Sequence, residues 1–333
     1  MKEPELGTEQ ATAESAYRNA TVGEATFCAV SCLSEADDTT VLENVANILS
    51  KIGKVESVAL STANRKLPST RSVVVAEGTK LAKIRSYVRS LDTNFVCICD
   101  PDLVVFPDGA TSVAKKAVKE SSDVTFGVID CQDDGTVLSR IITCDKWLSH
   151  SVLRPLLWRF GVGITLPGQF VIVSTALLKS IDQDVDSYLD DLYLGLFARM
   201  RKAKVLRMSI AIGEEQSRSS WFSLLTQRLR WMQGFASICR HHKASPVAIA
   251  FLAAHFAAYH LIPVAWLVCF GAIAAVNGAA ACLLLFVLCL VIARAARQPM
   301  LVAFAFLMVF PFVHLAAITF WWIPISKRQL TRR

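Results

Sequence analysis

The chain contains 333 residues, of which 53% are hydrophobic, and carries a formal net charge of +7. Its length accommodates one large or two small domains, and its apolar content is high for a wholly soluble protein. The ten cysteines include no C-x-x-C pair, which argues against a disulfide framework and a zinc site and favours a reduced compartment.

The polar residues 1–24 have neither periodicity nor an apolar core, so a disordered tail is expected and a signal peptide is not. Apolar runs then predict a first strand at 26–30 and a second at 55–60. Between them Thr40-Val41-Leu42-Glu43 matches a capping box for a helix that ends at Gly53. Together these elements predict a βαβ unit with two parallel strands and a right-handed crossover.

Two further strands and a helix extend this unit. Ser72–Ala76 predicts the third strand, Gly78-Thr79-Lys80 opens a helix, and Phe95–Cys99 predicts a fully buried fourth strand. Four strands and two helices predict a Rossmann-type nucleotide-binding half, although the chain has no G-x-G-x-x-G. Lys80 lies in the first turn of its helix, where the dipole favours anions. A lysine is disfavoured at this position unless it binds a phosphate or lies in solvent, and the sequence leaves both possibilities open.

Two acids follow the fourth strand directly, as Asp100-Pro101-Asp102. Ligands collect at the carboxyl edge of an open α/β sheet, and Pro101 stiffens the loop that carries both carboxylates. Two hard oxygen ligands suit a Mg²⁺ or Mn²⁺ ion that bridges phosphate oxygens. An Asp-Pro turn that merely ends the strand is the structural alternative.

The middle of the chain carries further predicted elements. They are a helix from the N-cap Asp108 to about Lys119, strands near 124–129, 136–143 and 168–174, and a partly amphipathic helix from Trp147 to Phe160. The loop with Gly161, Gly163 and Gly168 is of a kind that lines substrate pockets.

A pair of aspartates, Asp190 and Asp191, opens the next predicted helix. Such a pair caps exposed amides and suits the helix dipole. It also supplies a candidate general base, which must lie within about 3 Å of the proton that it removes. The sequence leaves both explanations open.

The third motif is Gln227-Arg228-Leu229-Arg230-Trp231. On a helix Gln227, Arg230 and Trp231 are i, i+3 and i+4 and share one face. The predicted apolar stripe of this helix is Trp221, Leu225, Leu229 and Met232. Such a helix can lie at a membrane surface with its basic residues among the headgroups. That anchoring role explains the arginines and the tryptophan but gives no reason for Gln227.

Two long stretches without Asp, Glu, Lys or Arg run from Ala244 to Ala293 and from Gln298 to Ser326. One crossing needs about 20 apolar residues, so the first stretch is long enough for two crossings, with a turn at Asn277-Gly278, and the second for one. Pro311 also permits a re-entrant hairpin in place of the third crossing.

Basic residues gather beside these apolar stretches. They are Arg228, Arg230, Arg240 and Lys243 before them, Arg294 and Arg297 between them, and Lys327, Arg328, Arg332 and Arg333 after them. This distribution fits anionic headgroups on the cytoplasmic leaflet better than a nucleic-acid face. The sequence therefore predicts a membrane protein that binds no nucleic acid.

The order of the motifs resembles the inverting family 2 glycosyltransferases with a GT-A fold and membrane helices, which include cellulose, chitin and hyaluronan synthases and ceramide glucosyltransferase. Their pattern is D-x-D after the fourth strand, a T-E-D or G-D-D base motif, and Q-x-x-R-W before a membrane helix. Here these are Asp100-Pro101-Asp102, Leu189-Asp190-Asp191 and Gln227 to Trp231, in the same order. The resemblance covers about residues 25–245.

For the donor, the resemblance implies that Asp100 and Asp102 bind the diphosphate of a nucleotide sugar through Mg²⁺ or Mn²⁺ and that Lys80 approaches the same diphosphate. A metal and cations stabilise the charge that develops on the leaving group. The family usually has an aspartate after the second strand that contacts the uracil or its ribose, whereas this chain has Ala63-Asn64 in that loop. A UDP-sugar is the expected donor, with the base left open by this departure.

For the acceptor, the resemblance implies that Asp191, with Asp190 beside it, takes the proton from the hydroxyl that attacks the anomeric carbon. Attack opposite the leaving group inverts the configuration. Gln227, Arg230 and Trp231 would line the acceptor site. The acceptor is a polysaccharide or a lipid, since Q-x-x-R-W favours a polymer and the small membrane part favours single transfer to a lipid.

The expected fold class is α/β, with a GT-A, Rossmann-like catalytic domain followed by an interfacial helix and C-terminal transmembrane helices. The predicted segments are a tail at 1–24, the GT-A domain at 25–216, the interfacial helix at 217–245, about three membrane segments at 246–326 and a basic tail at 327–333. We expect a multi-pass membrane glycosyltransferase with its catalytic domain in the cytoplasm, in contact with donor, acceptor and membrane lipids. The alternative is a catalytically degenerate domain that binds nucleotide or a partner at the membrane.

Overall fold

The computed structural model describes residues 21, 24–34, 37, 39–62, 70–75, 78–181 and 189–322. Most of the predicted N-terminal tail, the loop at Ala63-Asn64 and the basic tail at 327–333 lie outside these ranges. The chain divides into two compact units, each built from separate stretches. The sheet unit comprises Met1–Val128, Leu166–Asp186 and Phe197–Glu214. The helical unit comprises Ile129–Thr165, Ser187–Leu196 and Glu215–Arg333.

Within the described residues, strands form one mixed sheet in the order β3-β2-β1-β4-β7-β6-β8-β5. The strands are β1 (Thr26–Cys32), β2 (Lys54–Ser61), β3 (Arg71–Val74), β4 (Phe95–Cys99), β5 (Leu103–Val105), β6 (Val124–Cys131), β7 (Phe170–Ser174) and β8 (Val205–Glu215). β1 pairs in parallel with β2 and β4, and β2 pairs in parallel with β3. β7 runs antiparallel to β4 and β6.

The helices are numbered here in chain order. They are α1 (Thr40–Leu49), α2 (Lys80–Val88), α3 (Pro107–Glu120), α4 (Val137–Trp147), α5 (Arg154–Arg159), α6 (Thr175–Lys179), α7 (Asp190–Met200) and α8 (Trp221–His241). The apolar C-terminal helices are α9 (Pro246–Phe256), α10 (Ile262–Val276), α11 (Gly278–Ala295) and α12 (Met300–Phe320). Two π-helical segments, Leu148–Leu153 and Ala257–Leu261, join α4 to α5 and α9 to α10.

The parallel half of the sheet follows the predicted pattern. Every residue of β4 is buried, as an unbroken apolar run requires of a central strand with helices on both faces. The predicted βαβ unit and the predicted fourth strand are confirmed. Because β1 and β4 are parallel, their carboxyl ends meet at one edge of the sheet, and Asp100 follows β4 at that edge.

One predicted strand is wrong. Residues 136–143 belong to α4 and not to a strand, because Thr136 caps the helix by accepting the N–H of Ser139 at 3.1 Å. The β-branched residues of this segment mimic a strand pattern, whereas the N-cap and the packing of Ile141 and Ile142 in the core fix a helix. The long strand β8 was not anticipated from its sequence.

Two predicted helix starts are also wrong in detail. α3 begins at Pro107 after the N-cap Phe106, so Asp108 lies inside the first turn; proline suits the first helical position because it lacks the N–H that has no partner there. The capping box does not form at Thr40. Instead Thr39 precedes α1, and its hydroxyl donates to the Glu43 carboxylate at 2.7 Å.

Three C-terminal helices are long and apolar enough to cross a membrane: Pro246–Val276, Gly278–Ala295 and Met300–Phe320. Asn277 caps α11 by accepting the N–H of Ala280 at 3.0 Å, which confirms the predicted turn. α12 is one helix with Pro311 inside it, so the hairpin alternative is wrong. The three helices support a membrane-associated protein.

Candidate active site

The candidate donor residues of the sheet unit meet at the end of β4. The Lys80 ammonium donates to Asp100 Oδ1 at 2.6 Å and to the Gly168 carbonyl at 2.6 Å. The Asp100 N–H donates to the Gln169 carbonyl at 2.9 Å. The side chains of Lys80 and Asp100 are only 8% and 13% exposed, so Lys80 is not a solvated surface lysine.

Local structure places Lys80 at this edge. Thr79 caps α2 by accepting the N–H of Ala82 at 3.4 Å, and Lys80 is the first residue of the helix. Leu81, Ile84 and Val88 are buried and form an apolar stripe on α2 beside Lys80. The stripe fixes the rotation of the helix, and the lysine thereby faces the end of β4.

Asp102 lies in the exposed turn between β4 and β5. Within the described ranges, no three or more His, Cys, Asp or Glu residues cluster as a metal site. Mg²⁺ needs no such cluster, since one or two carboxylates usually hold it together with substrate phosphates and water. The half-buried Asp100 and the exposed Asp102 fit a cation that is completed by a diphosphate.

The thiols that flank Asp100 stay protonated. Burial raises the pKa of Cys99 to about 12 and the pKa of Cys97 well above its usual value. The Cys99 thiol donates to the Val30 carbonyl at 3.6 Å. Because only a thiolate is a metal ligand or nucleophile, these cysteines serve the core and leave the aspartates as the negatively charged groups at this edge.

The double aspartate lies in the helical unit, at the start of α7. Asp190 is the first residue of the helix, and Asp191 Oδ1 accepts the N–H of Leu192 at 2.8 Å. That bond is the interaction expected of a carboxylate in a first turn. It also fixes Asp191 in one orientation, which a general base needs. Both explanations from the sequence therefore agree with the local geometry.

The Q-x-x-R-W motif lies on α8, as predicted, with Gln227, Arg230 and Trp231 half-buried. The predicted apolar stripe is wrong in part, because Trp221 is exposed and the buried positions include Leu224 and Arg228. The buried face is rotated relative to the predicted stripe, because it follows i, i+4 steps through Leu224, Arg228 and Met232.

Arg228 was predicted to meet lipid headgroups, and the structure contradicts this. Its guanidinium donates to Asp145 Oδ2 at 2.6 Å, and the two side chains are 8% and 18% exposed. The same guanidinium lies 4.3 Å from the ring centre of Trp231 and 5.4 Å from that of Phe310. A buried ion pair and two cation–π contacts thus hold the centre of the motif.

The helical unit brings the second and third motifs together. A Cβ on Gly234 of α8 would lie 2.8 Å from the Leu189 side chain, so the helix approaches the residue that precedes Asp190. Tyr193 of α7 stacks on His242 at the end of α8, with ring centres 5.9 Å apart. The structure therefore joins Lys80 to Asp100 in the sheet unit and packs the double-aspartate helix on the Q-x-x-R-W helix in the helical unit.

The chain matches the model of glycosyl transferase family group 2 over residues 96–324. The chain belongs to this family. The matched range contains Asp100 and Asp102, the double aspartate and the Q-x-x-R-W motif. No curated protein sequence matches the chain.

Solved structures that resemble the chain include a mannosyltransferase and a glucosyl-3-phosphoglycerate synthase. The mannosyltransferase PcManGT from Pyrobaculum calidifontis, in complex with GDP-Man and Mn²⁺, has a TM-score of 0.54 and 14% identity, covering 94% of this chain and 97% of its own. Glucosyl-3-phosphoglycerate synthase from Mycobacterium tuberculosis, with Mn²⁺, UDP-Glc and phosphoglyceric acid, has a TM-score of 0.45 and 16% identity over 72% and 85%. The fold of this glycosyltransferase is GT-A, followed by apolar helices that are long enough to span a membrane.

Proposed function

We propose that the protein is a membrane-bound, inverting glycosyltransferase that moves a sugar from a nucleotide-sugar donor to a lipid or polysaccharide acceptor at the cytoplasmic face. The observation that carries this proposal is the buried contact between Lys80 and Asp100 at the carboxyl end of β4, in a chain of the glycosyltransferase family. A lysine and two aspartates at this edge supply the charges that a divalent cation and a diphosphate need.

Asp100 and Asp102 would hold Mg²⁺ or Mn²⁺ together with the donor diphosphate. The cation supplies charge stabilisation as the nucleoside diphosphate leaves. Lys80 is placed to exchange its contact with Asp100 for one with a phosphate oxygen, because its ammonium group already lies at that carboxylate. The mannosyltransferase of similar fold was solved with GDP-Man and Mn²⁺, which supports the metal and includes a GDP-sugar among the candidate donors beside UDP-sugars.

Asp191 would remove the proton from the acceptor hydroxyl, with Asp190 beside it at the start of α7. The hydrogen bond from the Leu192 N–H to Oδ1 of Asp191 holds this carboxylate in one orientation, as a general base requires. Gln227, Arg230 and Trp231 would line the acceptor site, since their helix α8 packs against the segment that carries Asp191. Proton removal by a fixed carboxylate, with the leaving group on the opposite side, gives inversion.

The organisation we propose is the one expected from the sequence. The GT-A domain at 25–216 and the interfacial helix at 217–245 lie on the cytoplasmic side, and the helices within 246–326 cross the membrane three times. Met300–Phe320 has 21 residues, and at 1.5 Å per residue such a helix spans roughly 30 Å, about the thickness of the hydrocarbon core. This length supports a full third crossing.

A donor hydrolysis screen tests the activity. The detergent-solubilised protein is incubated with UDP- and GDP-sugars, with and without Mn²⁺, and release of the nucleoside diphosphate is measured. We expect release from one donor that depends on the metal. Release from no donor under any condition would favour the degenerate nucleotide- or partner-binding domain. The anomeric configuration of a transfer product distinguishes inversion from retention.

Two variants of α8 separate acceptor binding from membrane anchoring. Gln227→Ala and Trp231→Ala should keep the protein in the membrane fraction and abolish transfer to the acceptor, while donor hydrolysis continues. If both variants transfer sugar as the wild type does, the motif has no acceptor role. If both leave the membrane fraction, the motif is an anchor.

A further inference from the structure

Two π-helical segments pack against each other in the helical unit, Leu148–Leu153 and Ala257–Leu261. Such segments hold well under 1% of residues in soluble proteins and occur frequently at functional sites. Each carries a buried histidine, His150 and His260. His260 Nδ1 lies 3.2 Å from Nδ1 of His314. The proposed transfer reaction uses none of these side chains.

Arg154 follows the first π-helical segment and is only 5% exposed. Its Nη1 lies 3.3 Å from His150 Nδ1, and the Ile129 N–H donates to the same nitrogen at 3.3 Å. Because both partners can only donate, His150 Nδ1 is an acceptor and the ring is neutral. Burial, followed by the charges of Arg154 and Lys146, lowers the pKa of His150 well below its usual value.

The charge of Arg154 has no described counter-charge. Its Nε is buried without a hydrogen-bond partner, and its one described hydrogen bond goes to the neutral His150. Asp145 is paired with Arg228 instead. A guanidinium stays charged in proteins, and a buried charge without a partner is costly. The site is therefore suited to a ligand that brings a negative charge.

Other polar groups of the site lie on a membrane-length helix. His255 lies two residues before the second π-helical segment, which packs against the segment that Arg154 follows. Its ring centre lies 4.7 Å from that of Tyr259, whose buried hydroxyl has no partner among the described residues. His255, Tyr259 and His260 all belong to Pro246–Val276, which is apolar enough to cross a membrane. An anion at this depth is expected to be attached to a lipid.

We propose that Arg154, with the neighbouring histidines and Tyr259, binds the phosphate headgroup of a membrane lipid. A guanidinium binds phosphate through paired N–H donors, and ring and phenol groups can complete the set of donors. Free inorganic phosphate has the same chemistry but lacks the acyl chains that favour the membrane helix. The inference concerns binding, so it stands apart from the proposed sugar transfer and is tested without a sugar donor.

The test uses the full chain in detergent and measures its unfolding temperature with dioctanoyl phosphatidic acid, dioctanoylglycerol or inorganic phosphate at equal concentration. A ligand that binds only the folded state raises this temperature. We expect a rise with phosphatidic acid alone. Arg154→Met should lose the rise, and the matched control Arg159→Met, at an exposed position of the same helix, should keep it.

Arg154→Met also has an expected effect without lipid. Because it replaces an uncompensated buried charge with an apolar chain, the variant should unfold at a temperature no lower than the wild type. Arg154→Lys retains the charge but not the paired donors, so it should need roughly tenfold more lipid for half of the shift. Equal stabilisation of Arg154→Met, an equal rise with inorganic phosphate, or a clear loss of stability in lipid-free Arg154→Met would each overturn the proposal.

Discussion

The Lys80 ammonium lies 2.6 Å from Asp100 Oδ1, and both side chains are withdrawn from solvent. The lysine neutralises the Asp100 carboxylate at the end of β4. A divalent cation at Asp100 and Asp102 would compete for the same oxygen. If Asp100 holds a cation as proposed, the charge of Lys80 and the charge of the cation would be alternatives at this carboxylate.

Lys80→Met should reveal the exchange. Removing one partner of a buried ion pair typically costs about 3–5 kcal/mol of stability, so the variant should unfold at a lower temperature. Mn²⁺ should raise that temperature more in Lys80→Met than in the wild type, because the ion replaces the missing charge. Lys83→Met on the same helix is the control. An equal response to Mn²⁺ in wild type and Lys80→Met would contradict the exchange.

Asp102→Asn should remove metal-dependent donor binding and leave the fold intact. The change is nearly isosteric, and the side chain is exposed, so stability should change by less than about 0.5 kcal/mol. Calorimetry with nucleoside diphosphate plus Mn²⁺ measures the affinity. Asp108→Asn, also exposed and close in sequence, should bind as the wild type does. Unchanged affinity in Asp102→Asn would show that this carboxylate holds no metal.

Among the parallel strands, β4 was the most predictable because it is an uninterrupted apolar run that ends at a turn. β4 was placed to the residue, from Phe95 to Cys99, and the site residue Asp100 followed from it. α4 was mistaken for a strand because its β-branched residues outweigh a single capping threonine at the level of local propensity. The packing of Ile141 and Ile142 in the core determines that this segment is a helix.

The ion pair of Arg228 could not be foreseen for a different reason. Its partner Asp145 lies 83 residues earlier in the chain, and no local pattern connects two side chains across that separation. The neighbouring arginines made a headgroup role the simplest interpretation. The contact of Lys80 with Asp100 was not predicted either, since the family resemblance implied only that both residues approach the same diphosphate.

Asp191→Asn should reduce the rate and leave donor binding unchanged. Loss of a general base typically costs about 10²–10⁴ in rate, and a base does not contact the donor diphosphate. Asp190→Asn is the matched comparison, since both residues lie in the first turn of α7. A helix-capping role predicts similar small losses in both variants. Near-normal turnover of Asp191→Asn with bound donor would show that Asp191 is not the general base and only caps the helix.

The ion pair of Arg228 with Asp145 should behave as one unit. Arg228→Met or Asp145→Leu alone leaves a buried charge and should cost about 3–5 kcal/mol. The double variant Arg228→Met/Asp145→Leu removes both charges and should cost less than the sum of the single changes. Thermal or denaturant unfolding of the four proteins measures the coupling. Additive losses would show that the two groups do not interact.

The buried His150 should make the stability of the protein depend on pH. Its pKa in the folded state lies well below its usual value because burial disfavours the charged ring, whereas in the unfolded chain it is about 6.5. Between these two values the unfolded state binds a proton that the folded state does not. The contribution of His150 is therefore complete above about pH 6.5 and falls as the pH is lowered, by at most about 1.4 kcal/mol per pH unit.

His150→Asn keeps an acceptor for the Ile129 N–H and should flatten the decline between pH 7 and pH 5. His241→Asn, at an exposed position, should follow the wild type. Unfolding temperatures of the three proteins across this range decide the matter, and parallel curves for wild type and His150→Asn would contradict a neutral buried ring.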